Sequence, residues 1–546
     1  MPSDERTDGS AVDDADSRET EFGPPQRKHT LHNYNSFPSY NTVQHETSDG
    51  YETTQYTAAG GKIQIRVLGP DLLRGLLMML MAMDHLTMAL RSWEHGQGRI
   101  NEQDGLVVEQ WNRPVAYTIR SLTHLCAPGF MLLLGMGVVY LGNSRKKQGW
   151  SSLRLLRYFA LRMVVLVLVM LVHGLVLTGG NAWFLNIVLF ALAVNYFLTG
   201  AIWLAVYEAE NKLTLALTRV FATEESGCDN DSDSDAEQPL LLAGRPQMSA
   251  AEVRATNISQ RVLHLSLVVL SLLTIFWNIW LSENHGQCVV EQSESTPNLV
   301  STMKNSSEDA DQQLEKYWWL HIWLWQVVGR GVMSGFPPLA WLSFAVIGVL
   351  YGRLVIGSSR VKHGLISHVG VGLIFTLIFV LTRLLNFGNL SGNCLQTPEN
   401  KAHPNRNQYL VSAAAFFYTI KYPPDVAFWA FTLAGNFFLL AGLRQIPTNF
   451  AKKWLAIMLD FGTTALFFYV VHFPVVFLVG GNMCALFGHP TDKKSPEVLP
   501  FSDKVIDNAF AFFGIWGLCL LIMWPLCRWY SKFKFGKPSD SLWRIF

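Results

Sequence analysis

Four ionisable residues within one apolar stretch, 71–91, have the side chains and the spacing for phosphate binding and acid–base chemistry. Asp71 and Arg74 lie near its start, and Asp84 and His85 lie near its end. At about 100° per residue, the eleven positions from Arg74 to His85 make three helical turns plus about 20°, so both side chains share one face, about 16 Å apart. Arginine suits phosphate, and histidine is the usual acid or base. This face therefore predicts a phosphate clamp, with Asp71 beside it, and a deeper proton acceptor.

Ionisable residues inside a membrane span are costly, and they usually face the bundle interior or a water-filled cavity. We therefore expect Arg74 and His85 to line one continuous passage through the membrane. Two simpler interpretations stay open. Arg74 can reach the headgroups, paired with Asp71, and His85 can be a structural histidine bonded to another helix. Asp84 points about 100° away from His85, which favours a contact with another helix or with the luminal rim over a direct proton relay.

The elements that must position these residues are membrane-spanning helices. Of the 546 residues, 50% are hydrophobic and 16% are charged, which is too apolar for a water-soluble protein of this length. Ten stretches have the roughly 20 mostly apolar residues that a span needs: 71–91, 117–141, 155–178, 182–206, 262–282, 336–356, 364–386, 423–444, 454–480 and 507–530. The sequence predicts an all-α polytopic membrane protein with about ten transmembrane helices in one bundle.

Lysine and arginine cluster in alternate connections between these stretches, for example at Arg145, Lys146 and Lys147. The positive-inside rule then predicts that both termini are cytosolic. The predicted organisation is a disordered cytosolic tail at 1–61, a first membrane portion at 62–206 that contains the predicted catalytic helix, a disordered acidic cytosolic loop at 207–261, a second membrane portion at 262–530 and a cytosolic tail at 531–546.

Charge and cysteine content narrow the function classes. The net charge of +1 gives no reason to expect a nucleic-acid partner. The seven cysteines have neither CxxC nor Cys/His ligand spacing, so no metal site is expected. Cys288, Cys394 and Cys484 all lie on the predicted luminal side, where either two of them form a disulfide or all three are free thiols.

Several other polar residues lie at the predicted depth of His85. They are His124, His173, Arg383, Asn386, His472 and, just before the eighth stretch, Lys421 and Tyr422. If their faces turn inward, the bundle has a hydrated pocket below its luminal surface. Taken singly, His173 and His472 are also explained by interhelical hydrogen bonds, and Arg383 and Lys421 by anchoring at the membrane interface.

Four segments together resemble the catalytic domain of the heparan-alpha-glucosaminide N-acetyltransferase family. They are Asp71-Leu-Leu-Arg-Gly-Leu with Met-Asp84-His85, Leu122-Thr-His124-Leu-Cys126-Ala-Pro128-Gly-Phe, Thr419-Ile-Lys421-Tyr-Pro-Pro424 and Phe468-Tyr-Val-Val-His472-Phe-Pro474. The resemblance covers roughly 65–480 and is closer to the uncharacterised branch than to the lysosomal enzyme. The spacing from Arg74 to His85 also resembles the helix 1 pair of the wider membrane acyltransferase superfamily.

The resemblance implies transfer of an acetyl group from cytosolic acetyl-CoA to a luminal or extracellular acceptor, with a sugar as the expected class. It implies that Arg74 lies along the CoA path and that His85 lies at the chemistry. The lysosomal enzyme's proposed active histidine is in the first luminal loop, where His95 is the candidate in this sequence. The surrounding residues, Arg91-Ser-Trp-Glu-His95-Gly, depart from the family pattern.

Two mechanisms fit these residues. His85 can take a proton from the acceptor's hydroxyl or amine, or it can form an acetyl-histidine intermediate. His124 lies at a plausible depth for stabilising the oxyanion. A transporter of an anion or small metabolite is the main alternative, although the chain has no convincing internal repeat. A non-catalytic membrane receptor or sorting protein is a third interpretation.

A short motif in the predicted acidic loop bears on localisation. Glu237, Leu241 and Leu242 form an acidic dileucine pattern, which either binds a sorting adaptor or is incidental in a polar linker. The membrane is thus either a vacuole- or lysosome-like endomembrane or the plasma membrane. The sequence leaves a homodimer open.

Overall fold

A computed structural model of the protein describes residues 54–57, 63–66, 68–92, 114–228, 249–286, 319, 322–329, 331–357, 363–393, 395, 398–490 and 504–537. Its helices, in chain order, are α1 Leu68–Leu90, α2 Pro114–Thr123, α3 Cys126–Lys147, α4 Ser152–Leu177, α5 Leu189–Cys228, α6 Ala250–Trp280, α7 Leu342–Gly357, α8 His363–Leu384, α9 Pro398–Ala402, α10 Ala413–Phe417, α11 Val426–Arg444, α12 Thr448–Trp454, α13 Ala456–Thr463, α14 Ala465–Phe487 and α15 Ala509–Phe535. Three short 3₁₀ helices are Glu283–Gly286, Leu339–Trp341 and Gln408–Leu410.

The few strands are short and lie between helices or before the first one. They are β1 Thr54–Thr57, β2 Ile63–Arg66, β3 Phe184–Asn186, β4 Val327–Gly329, β5 Val332–Ser334, β6 His489–Pro490 and β7 Lys504–Val505. β1 and β2 form a sheet of their own. β5 pairs in parallel with β3 and antiparallel with β4, which ties two connections together at one end of the bundle. β6 and β7 form an antiparallel pair.

The chain is an all-α polytopic membrane protein, as the hydropathy predicts. Nine helices in the described residues are long and apolar enough to cross a membrane. The one predicted stretch that is not among these nine, 336–356, contains a shorter apolar helix, Leu339–Val355. The cytosolic placement of both termini stays a prediction.

The predicted disordered loop at 207–261 is wrong in its bounds, because α5 continues through its first part and α6 covers its last part. Charges hold the polar extension of α5 against other helices. Lys146 Nζ lies 3.2 Å from Glu208 Oε1, and Arg353 Nη2 lies 2.6 Å from Glu210 Oε2. Hydropathy shows where a helix leaves the hydrocarbon core of the membrane, but not where the helix itself ends. The predicted start of the loop, at residue 207, therefore lies inside α5.

Two predicted spans are interrupted. The second is divided into α2 and α3 by a turn at His124 and Leu125, and the ninth is divided into α13 and α14 at Thr464. Side chains bond to the backbone at both breaks, as buried backbone groups require. Asn436 Nδ2 donates to Leu125 O at 3.1 Å, and the Thr464 hydroxyl donates to Asp460 O at 2.7 Å.

Helix α1 is largely buried and packs against α3, α13 and α14. Its crossing with α13 brings the two backbones together. A Cβ at Gly75 would lie 1.9 Å from Met458 O, and one at Gly462 would lie 2.0 Å from Asp71 O. Only glycine allows this approach, so the crossing fixes the position of the stretch that contains Arg74.

The segment between α8 and α11 folds onto the end of the bundle around a buried arginine. Arg383 is 0% exposed; Nη1 donates to Asn389 Oδ1 at 2.8 Å and Nη2 donates to Tyr418 O at 2.7 Å. Its guanidinium also lies 4.4 Å from the Tyr409 ring centroid. The interpretation of Arg383 as an interfacial anchor is therefore wrong, since its hydrogen bonds organise this segment instead.

The glycine crossing gives a stability prediction. We expect Gly75→Ala to lower the free energy of unfolding by about 1–3 kcal/mol, because a backbone carbonyl cannot yield to the new methyl group. The control is Gly137→Ala in α3, where nothing in the described part of the chain lies within 4 Å of the added Cβ. Thermal unfolding in nanodiscs, followed by tryptophan fluorescence, compares them. Equal melting temperatures would show that the crossing is not tight.

Candidate functional site

Two histidines from α1 and α14 meet in the interior of the bundle. His85 Nδ1 lies 2.8 Å from His472 Nε2, and the two residues are 7% and 0% exposed. Phe473 packs against the His85 ring, with 4.3 Å between ring centroids. The interhelical hydrogen bond predicted for His472 is thus confirmed, and its partner is the predicted base.

The backbone of α14 determines which nitrogens of this pair carry protons. His472 Nδ1 lies 2.7 Å from Tyr469 O and 3.1 Å from Phe468 O. Carbonyl oxygens only accept, so Nδ1 carries the proton and, in the neutral ring, Nε2 is an acceptor. His85 Nδ1 must then donate to it, which puts the lone pair of neutral His85 on Nε2. That is the state a general base requires.

A third histidine supports α14 at the same level. Pro474 has no backbone N–H, so it cannot donate to the carbonyl four residues earlier, that of Val470. His173 Nε2, from α4, lies 3.2 Å from this oxygen and donates to it. The interhelical hydrogen bond predicted for His173 is confirmed. The Phe473 ring lies between His173 and His85, at 5.7 and 4.3 Å from their ring centroids.

An ion pair adjoins the histidine pair, because one of its members, Asp84, directly precedes His85 in α1. Lys421 Nζ is 4.0 Å from Asp84 Oδ2, with side chains 9% and 20% exposed. Lys421 Nζ also lies 4.9 Å from the Tyr422 ring centroid and 5.6 Å from that of Phe336. Burial acts to lower the pKa of Lys421, but Tyr422 and Asp84 raise it above its ordinary value, so the ammonium stays charged. Lys421 is therefore not an interfacial anchor, and Asp84 contacts another segment as predicted.

Arg74 lies at the other end of the same face of α1. Its Nη1 donates to Asp71 Oδ1 at 2.9 Å and, more weakly, to Gly462 O at 3.4 Å. The predicted pairing of Arg74 with Asp71 is confirmed. The side chain of Arg74 is 30% exposed, which leaves the guanidinium partly accessible.

The expected continuous passage between Arg74 and His85 is filled along this face. Met78 and Met81 lie between them at helical spacing, and each is 5% exposed. Helical spacing predicts that Arg74 and His85 share one face of α1. It does not predict which parts of the neighbouring helices pack against the residues between them. Methionine is unbranched, so these two side chains have more rotamers open to them than branched side chains would have.

The remaining site predictions have mixed outcomes. His124 is 4% exposed and has its ring edge on Phe428, 5.1 Å between centroids, so its oxyanion role stays a prediction. Cys484 is buried and forms no disulfide with any described residue. The other residues named in the predictions lie outside the described residues: His95, Glu237, Leu241, Leu242, Cys288 and Cys394. Within the described ranges, no three His, Cys, Asp or Glu side chains are grouped to hold a metal ion.

No family model matches this chain, and no curated protein sequence matches it either. The family resemblance stays a prediction from the residues quoted above.

The Asp84–Lys421 pair gives a second stability prediction. We expect Asp84→Asn and Lys421→Met each to destabilise the protein by about 1–3 kcal/mol, because each leaves a buried polar or charged partner. The double variant should lose less than the sum of the two. Thermal unfolding in nanodiscs measures all three.

The matched control for this cycle is Asp507→Asn. It breaks the exposed pair in which His489 Nε2 lies 3.0 Å from Asp507 Oδ1, so its effect should be near zero. Strictly additive losses for Asp84 and Lys421 would contradict the coupling.

Proposed function

We propose that the protein is a membrane-embedded acetyltransferase that moves an acetyl group from cytosolic acetyl-CoA to a hydroxyl or amine of an acceptor across the membrane, with a sugar as the acceptor class. The observation that carries the proposal is the His85–His472 contact, because it presents an imidazole with its lone pair on Nε2 inside a membrane bundle. The resemblance of the surrounding sequence segments supports the same chemistry.

In the proposed reaction, His85 Nε2 takes the proton of the acceptor's hydroxyl or amine while the acceptor atom attacks the thioester carbonyl. The carbon–sulfur bond breaks as the tetrahedral intermediate collapses, and the departing CoA thiolate takes the proton back from His85. A positioned base of this kind contributes about 10²–10⁴ in rate. His472 is a positioning residue, since it fixes the tautomer of His85 without touching the reacting atoms.

The proposed binding site for the acetyl donor, CoA, includes the partly accessible guanidinium of Arg74. Arg74 suits a phosphate of CoA, and Asp71 holds it in place through the 2.9 Å hydrogen bond. Met78 and Met81 would have to move aside for the pantetheine arm to reach His85. The proposed compartment is a vacuole- or lysosome-like membrane or the plasma membrane, with sorting by Glu237, Leu241 and Leu242 as part of the proposal.

A two-sided transfer assay tests this proposal. Proteoliposomes with sugars enclosed receive acetyl-labelled acetyl-CoA outside, and we expect labelled sugar to accumulate inside. His85→Ala should abolish the labelled product. His472→Phe keeps an aromatic ring but has no acceptor for His85 Nδ1, so we expect a loss of at least about 10-fold and an altered pH profile.

The matched control in the assay is His489→Ala, an exposed histidine outside the site, which should retain full activity. Undiminished transfer by His85→Ala, or no product with any acceptor from folded protein, would refute the proposal. Accumulation of an unmodified solute without acetyl-CoA would favour the transporter instead.

A further inference from the structure

A cavity of about 360 Å³ lies beside the last turn of α6 and the first residues after α8, away from the histidine pair. Its size is at the lower end of the roughly 300–1,000 Å³ typical of small-molecule sites, which suits a single ring. Phe276 and Trp280 of α6 and Phe387 after α8 supply aromatic lining.

The three rings contact one another, with Phe276 as the shared neighbour. The Phe276 ring centroid is 6.0 Å from that of Trp280, with 26° between planes, and 5.6 Å from that of Phe387, with 38° between planes. Trp280 is 56% exposed and Phe387 is 62% exposed. An aromatic cage for a quaternary ammonium surrounds the cation, whereas these three rings are a row of neighbours in which Trp280 and Phe387 are largely exposed. An exposed aromatic ring favours a ligand with an apolar face that can stack on it.

Three polar side chains complete the lining: His285, Asn386 and Asn389. The Asn389 amide already bonds to Arg383 Nη1 and Thr382 O, so His285 and Asn386 are the two side chains that we expect to contact a ligand. His285 and Asn386 each have φ of 50°, in the left-handed region, and both are exposed. At Asn386 this conformation belongs to the cap that ends α8, in which Phe387 N donates to Thr382 O at 3.1 Å. None of the described residues that line the cavity is Asp, Glu, Lys or Arg, so the lining favours a neutral ligand.

Backbone hydrogen bonds hold these two turns in place without a ligand. Gly392 N donates to Gly286 O at 2.9 Å, which joins the turn after α6 to the segment after α8. Val426 N donates to Gly388 O at 3.0 Å, which ties that segment to the start of α11. The lining is therefore largely preformed, and a ligand would bind without a large ordering cost.

We propose that this cavity binds a neutral pyranose ring. The apolar face of the sugar stacks on Trp280 and Phe387, and its hydroxyl groups bond to His285 and Asn386. The same ring can belong to a soluble glycan or to a glycolipid headgroup, since the helices end here. The binding site is separate from His85 and does not depend on the proposed acetyl transfer.

The test is saturation-transfer difference NMR on the full chain in nanodiscs, without glycoside detergents. The probes are methyl β-glucopyranoside and methyl β-galactopyranoside, with glycerol as a non-ring control. A trisaccharide in solution and glucosylceramide in the nanodisc distinguish the two sources. We expect transfer from the protein to at least one pyranoside and none to glycerol.

Three variants locate the binding. Trp280→Leu should weaken affinity by about 3- to 10-fold, because it removes the stacking surface. Asn386→Gly keeps the left-handed turn without strain but lacks the amide, so weaker binding with unchanged stability would separate recognition from folding. The control Trp183→Leu changes another exposed tryptophan and should leave affinity unchanged.

A signal from the soluble trisaccharide or from glucosylceramide supports the site and identifies the source. No transfer to any pyranoside, or transfer that Trp280→Leu and Asn386→Gly leave unchanged, overturns it.

Discussion

The hydrogen bond from His85 to His472 is the interaction on which this account of the protein depends. It joins residues 387 positions apart, in a bundle whose interior offers few alternatives for a polar ring. Because His472 donates to the carbonyls of its own helix, the orientation of its ring follows from the backbone of α14. His85 can then pair with it in one way only when both rings are neutral. The backbone of α14 therefore determines, through His472, which nitrogen of neutral His85 carries the proton.

Irregular backbone supplies much of the polar interior of this bundle. Pro474 cannot bond to Val470 O, and His173 from another helix donates to it instead. The turn between α2 and α3 places Leu125 O where Asn436 can donate to it. Pro474 costs one regular helix hydrogen bond, which His173 replaces. Leu125 O accepts from Asn436 in addition to the helix bond from Gly129 N. These side-chain bonds link α4 to α14, and α11 to the turn between α2 and α3.

Much of the fold was predictable from sequence, and the contacts within the site were predictable only in part. Span positions follow from hydropathy because the bilayer sets the length of an apolar helix. The shared face of Arg74 and His85 follows from helical periodicity. The proline at 474 signals that Val470 O needs another donor, but its identity depends on packing. The sequence leaves interfacial anchoring open for Lys421 and Arg383, because it does not show that a segment between spans folds back and buries them. Helical spacing also places Met78 and Met81 on this face, but only the packing of the neighbouring helices shows that they fill it.

The most direct test of the central claim is nitrogen NMR of the protein with ¹⁵N-labelled histidine in nanodiscs, with resonances assigned by comparison with His85→Ala and His472→Ala. At a pH where both rings are neutral, this account predicts that Nδ1 is protonated and Nε2 is unprotonated in both residues, with a coupling across the hydrogen bond from His85 Nδ1 to His472 Nε2. A protonated Nε2 on neutral His85, or the absence of any coupling between the two rings, would contradict it.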